Sequence, residues 1–347
     1  MARPGLLQDG LLIRKIVSLY SPEQVSAWLK SMQWSQSYTA YELAEGKFPT
    51  TLRNLAALVR CHAVTFPYEN LQMHYSKDHT MDVDPQCLFR RLLTDRRGSY
   101  CFGLNILFLW MLRGLGYRAY PGLGRVNENG DPKMLPEFSG CSHMVIFVQL
   151  GEESNATYIV DVGCGGSGPT MPILLSDAED NIVMGTTPTE KHRLRREEFP
   201  GSSIGIVGCT ESREWVMEVM HEKPELKDSV QWRIVYTFSE REVFQADLEV
   251  LNRGRYTEPT GFFADQVICS IHHWLEDDAE LNIHPSERRL VRVGLMGRLL
   301  KKFVGSSSEF LKLVYTEDER VEVYRKYFNI DLSREEVECI RGRRAAI

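Results

Sequence analysis

The 347-residue sequence has no Cys-x-x-Cys pair, no run of about 18 apolar residues free of charge, no internal repeat and no low-complexity tract. Without paired thiolates a structural zinc site has little to build on. Without a long apolar run no membrane-spanning helix is expected. Positive charge is also short: 41 Lys and Arg against 47 Asp and Glu give a formal net charge of −6. A nucleic-acid binder normally shows a basic face, so nucleic acid is not expected as a partner, and neither is a membrane. A small anion held in a local basic pocket stays compatible with that balance.

The hydrophobic fraction of 43% and charged fraction of 25% are those of an ordinary globular protein with a sizeable core. Eight cysteines at 61, 87, 101, 141, 164, 209, 269 and 339 are spaced too widely and irregularly for a disulfide framework. Most are expected to be small buried hydrophobes, leaving one or two for chemistry. Leu6, Leu7, Leu11, Leu12 and Ile13 resemble a signal peptide, but Asp9 interrupts them and Arg14 and Lys15 follow. The stretch is expected to dock on the body, with the cytoplasm as default compartment.

The first third reads as helical. Ser21, Pro22 and Gln24 form a capping box with proline at the first position. Apolar residues recur at helical spacing after Thr50, and Asp84-Pro85 opens another helix. A fourth begins near Cys101 and runs to the glycines at 114 and 116. The character then changes to short β-branched and aromatic segments at 117–123, 143–150, 158–162, 215–220 and 230–238. Residues 163–211, rich in Gly, Pro and charge, are expected to be loop with one short strand at 171–175. Strands are expected at 289–295 and 310–315, and helices at 319–328 and 334–343, the last behind a box at Ser333 and Glu336.

Cys101 sits at the predicted start of a strongly apolar helix. There the positive end of the macrodipole and unsatisfied backbone donors favour thiolate, and Arg96 and Arg97 add to this if close. On position alone it reads more readily as a core cysteine. His143 and Asp161 change the balance: a hairpin turning near residue 152 puts them opposite each other, close enough to hydrogen-bond. A thiol, a base and a carboxylate that orients the base make a nucleophile-activating set. A free thiol near pKa 8.5 is only a few per cent ionised at neutral pH, and proton transfer to the imidazole remedies that. Cys141 and His143 could begin a metal site, but no further ligands stand at suitable spacing, so no metal is expected.

These residues resemble the arylamine N-acetyltransferase family. Its Arg-Gly-Gly-x-Cys-x-Glu-x-Asn signature is matched by Arg97-Gly98-Ser99-Tyr100-Cys101-Phe102-Gly103-Leu104-Asn105, and its Phe/Tyr-Glu-Asn-Leu motif by Tyr68-Glu69-Asn70-Leu71. His143-Met144-Val145 and Val160-Asp161-Val162-Gly163 match its histidine and aspartate segments, with weaker echoes through Phe262-Phe263. The resemblance implies an α+β fold in three domains: a helical bundle bearing the nucleophile, a β-barrel and an α/β lid. The corresponding boundaries are 1–116, 117–238 with a long insertion near 163–211, and 239–347.

It also implies ping-pong transfer of an acetyl or similar acyl group from acyl-coenzyme A, a co-substrate, through a Cys101 thioester to an arylamine, hydrazine or N-hydroxyarylamine. Arg97, Asn105 and Glu69 are then expected to support the site, and Gly163, Gly165 and Gly166 to line the coenzyme loop. Phe66, Tyr68, Phe262 and Phe263 are expected at the acceptor pocket, as apolar sites are commonly lined. Ser99, Gly103 and Cys164 depart from the family pattern, at a second glycine, a glutamate and an aromatic. Two other readings fit the same triad: a thiol hydrolase of the papain or transglutaminase kind, and an inactive small-molecule-binding scaffold.

Overall fold

Side-chain caps write most of the helix starts of the first third. In a computed structural model, which describes residues 5–131, 133–152, 154–199, 202–203, 213–222, 231–275 and 283–347, α1 (Pro22–Ser31) opens on the expected box of Ser21 and Gln24. Thr39 and Glu42 form a second box before α2 (Ala40–Ala44), and Thr51 caps α3 (Leu52–Thr65). After a two-residue strand β1 (Tyr68–Glu69) and α4 (Leu71–Tyr75) comes α5 (Pro85–Phe89), where Asp84 accepts from two backbone amides at 2.9 Å. The chain continues through a widened turn over Arg90–Thr94. It then enters α6 (Cys101–Gly114), where residues 101–109 are all buried. A helix apolar on every side belongs in a core, and α6 is the central member of the helical cluster.

Next come β2 (Arg118–Val126), β3 (His143–Gln149), β4 (Thr157–Val160), β5 (Ile173–Leu174), β6 (Ile182–Met184), β7 (Glu190–Glu198), β8 (Arg213–His221) and β9 (Arg233–Phe238). They form one antiparallel sheet in the order β5-β4-β3-β2-β9-β8-β7-β6. β5 also lies against β7, so the sheet curls into a nearly closed barrel around Phe147, Met217, Tyr236 and Phe238. The N-terminal stretch docks here as expected. Leu7 and Ile13 are buried in this core, and the Gly5 amide donates to the Leu175 carbonyl at 2.9 Å.

Two expectations about this region are corrected. Residues 163–211 are not loop with a single short strand, because β5, β6 and the nine-residue β7 all fall within them. β7 escapes a hydrophobic pattern because its inward positions include Glu190 and His192, with Leu194 the one buried apolar residue. Its outward face is held instead by Arg193–Glu218 at 2.7 Å, while Arg196, further along the inward face, stacks over Trp215 at 4.2 Å. The β3–β4 hairpin is also slipped: Ile146 faces Val160 and Gln149 faces Thr157, so Asp161 is not opposite His143. Buried Gln149 sets this register. Its amide donates to Thr157 Oγ1 at 3.0 Å and Leu11 O at 3.1 Å, and its oxygen accepts from Ile13 N at 2.8 Å. The slip is two residues, which keeps both side chains on one face.

The last third adds α7 (Gln245–Thr257), α8 (Phe262–Asp265), β10 (Ile268–Trp274), β11 (Leu290–Met296), β12 (Leu299–Val304), β13 (Ser307–Leu313), α9 (Glu317–Phe328) and α10 (Arg334–Glu338). β10 and β12 were not expected, and α10 stops five residues short of the expected 343. β1 joins these strands in a second antiparallel sheet, β1-β10-β11-β12-β13, with Tyr68 facing Ser270. One sheet face packs Cys269, Val293 and Leu295 against α9. α7 and α8 turn the other way, burying Leu248 and Phe263 in the helical core. Among the described residues no helix is long and apolar enough to cross a membrane.

Candidate active site

Cys101, His143 and Asp161 each stand at the end of a regular element, and the fold brings those ends together. Cys101 is the first residue of α6, after an extended Tyr100 that offers no side-chain cap. The helix amides and the positive end of its dipole therefore point at the sulfur without competition from a capping side chain. The thiol is 5% exposed and donates to Ser142 O at 3.5 Å. His143, the first residue of β3, is buried against the Tyr236 ring, with centroids 4.7 Å apart. Its Nε2 bonds Asp161 Oδ2 at 2.7 Å. With Nε2 committed to Asp161, Nδ1 is the ring nitrogen left to exchange a proton with Cys101.

The electrostatics follow from these contacts. Burial alone pulls the His143 imidazole down, but the Asp161 charge and hydrogen bond, with Cys101 beside them, push it up to about 10. Burial raises the Asp161 carboxyl, and His143, Asn105 and the Gly163 amide more than offset that, so it lies below its ordinary value. The pair is an imidazolium bound to a carboxylate at neutral pH.

Asn105, one turn along α6 from Cys101, ties all three elements. Its Nδ2 donates to Asp161 Oδ1 at 2.9 Å and to Met144 O at 2.8 Å, while its Oδ1 accepts from Val162 N at 2.9 Å. Gly163 lets the loop after β4 pass over the helix start, since a Cβ there would stand 2.7 Å from Cys101 Cα.

The remaining expected support divides. Glu69 is buried and accepts from Gly98 N at 2.9 Å and from Leu71 N. Its partner is Arg91, whose Nη2 donates to Glu69 Oε1 at 2.6 Å and whose Nε donates to Gly98 O at 2.8 Å. Arg97 instead reaches Glu336 at 3.0 Å and pins α10 to the loop. Arg91 was not singled out, since Arg90, Arg91, Arg96 and Arg97 look equivalent in sequence.

A cleft opens beside the three residues, lined by Phe66, Tyr68, Asp161, Cys164, Ser270 and His272 among others. Gly165 borders it with φ +74° and lies against Tyr68. Desolvation, with Cys101 and Cys164 nearby, holds the Tyr68 phenol well above its ordinary value, so it meets the cleft as a neutral donor. Phe262 and Phe263 are not part of this wall. Phe262 is 54% exposed, and Phe263 packs edge-on to Tyr100 at 5.6 Å. Ser270 and His272 come from β10, a strand with no alternating apolar signal to announce it.

His143, Asp161 and Cys164 also bring one ligand atom each within 4.8 Å of one another. His143 and Asp161 already bind each other, and burial with Asp161 alongside pushes the Cys164 thiol well up. A metal there would have to break the pair and ionise a reluctant thiol.

The chain is similar to known proteins. A family model described as N-acetyltransferase matches residues 51–337. An N-malonyltransferase of Gibberella moniliformis is 28% identical over 332 residues, covering 91% of each chain. An arylamine N-acetyltransferase of Mycobacterium tuberculosis is 30% identical over 251 residues, covering 72% of this chain and 77% of that one. Among solved structures, the Mycobacterium marinum arylamine N-acetyltransferase in complex with CoA superposes with a TM-score of 0.69. That match is 23% identical and covers 93% of this chain and all of the other, so the three-domain fold is common to both.

Proposed function

Because the chain belongs to the N-acetyltransferase family, we propose that it moves a short acyl group from acyl-coenzyme A to an arylamine, hydrazine or N-hydroxyarylamine by way of Cys101. The observation that carries this reading is the buried relay of Cys101, His143 and Asp161 at the start of a core helix. The Cys101 thiolate attacks the thioester carbonyl, and the tetrahedral adduct expels the coenzyme thiolate, which takes the proton from His143. The amine then attacks the Cys101 thioester, neutral His143 accepts its proton, and the Cys101 thiolate departs. Asp161 holds the ring orientation and stabilises each imidazolium. Gly163, Gly165 and Gly166 border the coenzyme's approach, and Phe66 and Tyr68 face the acceptor.

The same reading divides the chain at residues 116 and 238, with α7 and α8 of the third unit packed on the first. The relatives' names differ in the group transferred, malonyl in one and acetyl in the other. Both fit a ping-pong scheme.

Intact-protein mass spectrometry tests it. Wild type exposed briefly to an acyl-coenzyme A without amine should gain one acyl mass, and an arylamine should clear it. Cys101→Ser should gain none, because a serine hydroxyl is far less ionised than a thiol. Absence of an adduct on wild type with any donor, or an equal adduct on Cys101→Ser, overturns the proposal.

A further inference from the structure

Resting on that reading, the geometry points to Arg292 and Ser270 as a carboxylate-binding pair that selects acyl thioesters whose acyl chain ends in a carboxylate. Arg292 lies on β11 directly across the ladder from His272, and Ser270 lies across β10 from Tyr68. Residues paired in this way share a sheet face, and this is the face that meets the cleft. The Arg292 guanidinium rests 3.9 Å over the Phe303 ring and reaches back over the loop after β4. A Cβ on Gly166 would stand 2.9 Å from its Nη1.

Among the described residues the guanidinium has no carboxylate in ion-pair contact. Glu190 is the acidic group that senses it, and that carboxylate is already committed. Thr186 donates to it at 3.0 Å, and His221 stands 3.5 Å away. Ser270 is 5% exposed, and its Oγ has no hydrogen-bond partner. A charged fork and an idle hydroxyl on one wall suit a planar anion. Burial, with Arg292 beside it, pulls His272 down to about 3, so it adds no charge. Burial also draws Arg292 down, to about 10, which leaves it cationic at neutral pH. Arg60 and Arg233 back the same loop, donating to Thr170 Oγ1 at 3.0 Å and Ser167 Oγ at 2.7 Å. Two further guanidinium groups therefore stand behind this wall. Its closeness to Asp161 and Cys164 favours the acyl end of the donor over the phosphates of coenzyme A.

The test is kcat/KM for malonyl-coenzyme A and acetyl-coenzyme A, with one arylamine, on the full chain. Arg292→Met should cut the malonyl-to-acetyl ratio about 10- to 100-fold, the worth of charge-assisted hydrogen bonds. Arg292→Lys, which keeps charge and stem but not the fork, should cut it about 3- to 10-fold and serves if the first variant does not fold. An unchanged ratio overturns the assignment. So does a parallel fall with both donors, which assigns Arg292 to the coenzyme phosphates or to structure. Wild type that forms no adduct with either donor overturns the transferase reading itself, an outcome distinct from the other two.

Discussion

Ser99 and Gly103 are two separate departures from the family signature in sequence, and the structure makes them one. A Cβ placed on Gly103 would stand 2.1 Å from Ser99 Oγ, 2.7 Å from Ser99 Cβ and 2.9 Å from Leu88 Cδ2. The serine side chain fills the space that a side chain at 103 would need. Gly103→Ala alone gains up to about 1 kcal/mol of helix propensity. It also overpacks a site where Ser99 Cβ is fixed to backbone, a penalty of about 1–3 kcal/mol. The net expectation is a loss of about 1–2 kcal/mol.

In a Ser99→Gly background the nearest remaining side-chain atom is Leu88 Cδ2, and the free end of a leucine can rotate aside. Gly103→Ala should then be neutral or stabilising. Ser99 Oγ makes no hydrogen bond, so its removal forfeits none. The two changes should therefore couple by about 2 kcal/mol, measured as a double-mutant cycle from urea denaturation of the four proteins. Additivity within about 0.5 kcal/mol would refute the argument, because it would mean the two side chains do not compete for one space.

Asn105→Ala removes one bond to a charged carboxylate and two to backbone, and should cost about 4 kcal/mol in chemical denaturation; a loss under about 1 kcal/mol would show the clamp to be idle. Arg91→Ala leaves the Glu69 carboxylate buried and unpaired and should cost about 3–5 kcal/mol, whereas Arg97→Ala, facing a half-exposed Glu336, should cost at most about 1. Equal thermal shifts for these two variants would reverse that assignment. The folded His143 value lies above the ordinary one, so its pair with Asp161 contributes fully below about pH 6.5 and is lost as pH rises through about 10. Nitrogen NMR at pH 8 should find both ring nitrogens of His143 protonated, and a neutral ring there contradicts the electrostatics.

Much of the helical part was legible because its signals are local. Ser21, Thr51, Asp84 and Ser333 each satisfy amides within three residues, so the sequence around a helix start contains the whole cause. Strands carry less of their cause with them. β7 has one buried apolar residue and survives because β8 pairs along its full length. β10 contains adjacent histidines and is placed by β1 and β11, one far upstream and the other beyond a long connection. In both cases the partner supplies the stability, and propensity within the segment is overridden.

The same distinction explains why the proposed chemistry was easier to read than its specificity. The His143–Asp161 pairing rested on a register that proved wrong by two residues, yet the contact stands at 2.7 Å. Side chains alternate faces along a strand, so an even slip preserves the face while an odd one would have turned Asp161 away. Parity alone keeps the two side chains on one face, and Asn105 closes the remaining distance from a third element. The wall opposite tolerates no such error. Cys164 lies on a loop more than 100 residues before the two strands that carry Ser270, His272 and Arg292, and only the folded chain brings them together. In the proposed reading a single guanidinium there sets which acyl group is accepted, and nothing local to Arg292 distinguishes it from the other arginines of the chain. What makes it particular is that no carboxylate among the described residues pairs with it, a property that exists only once the neighbours have folded around it.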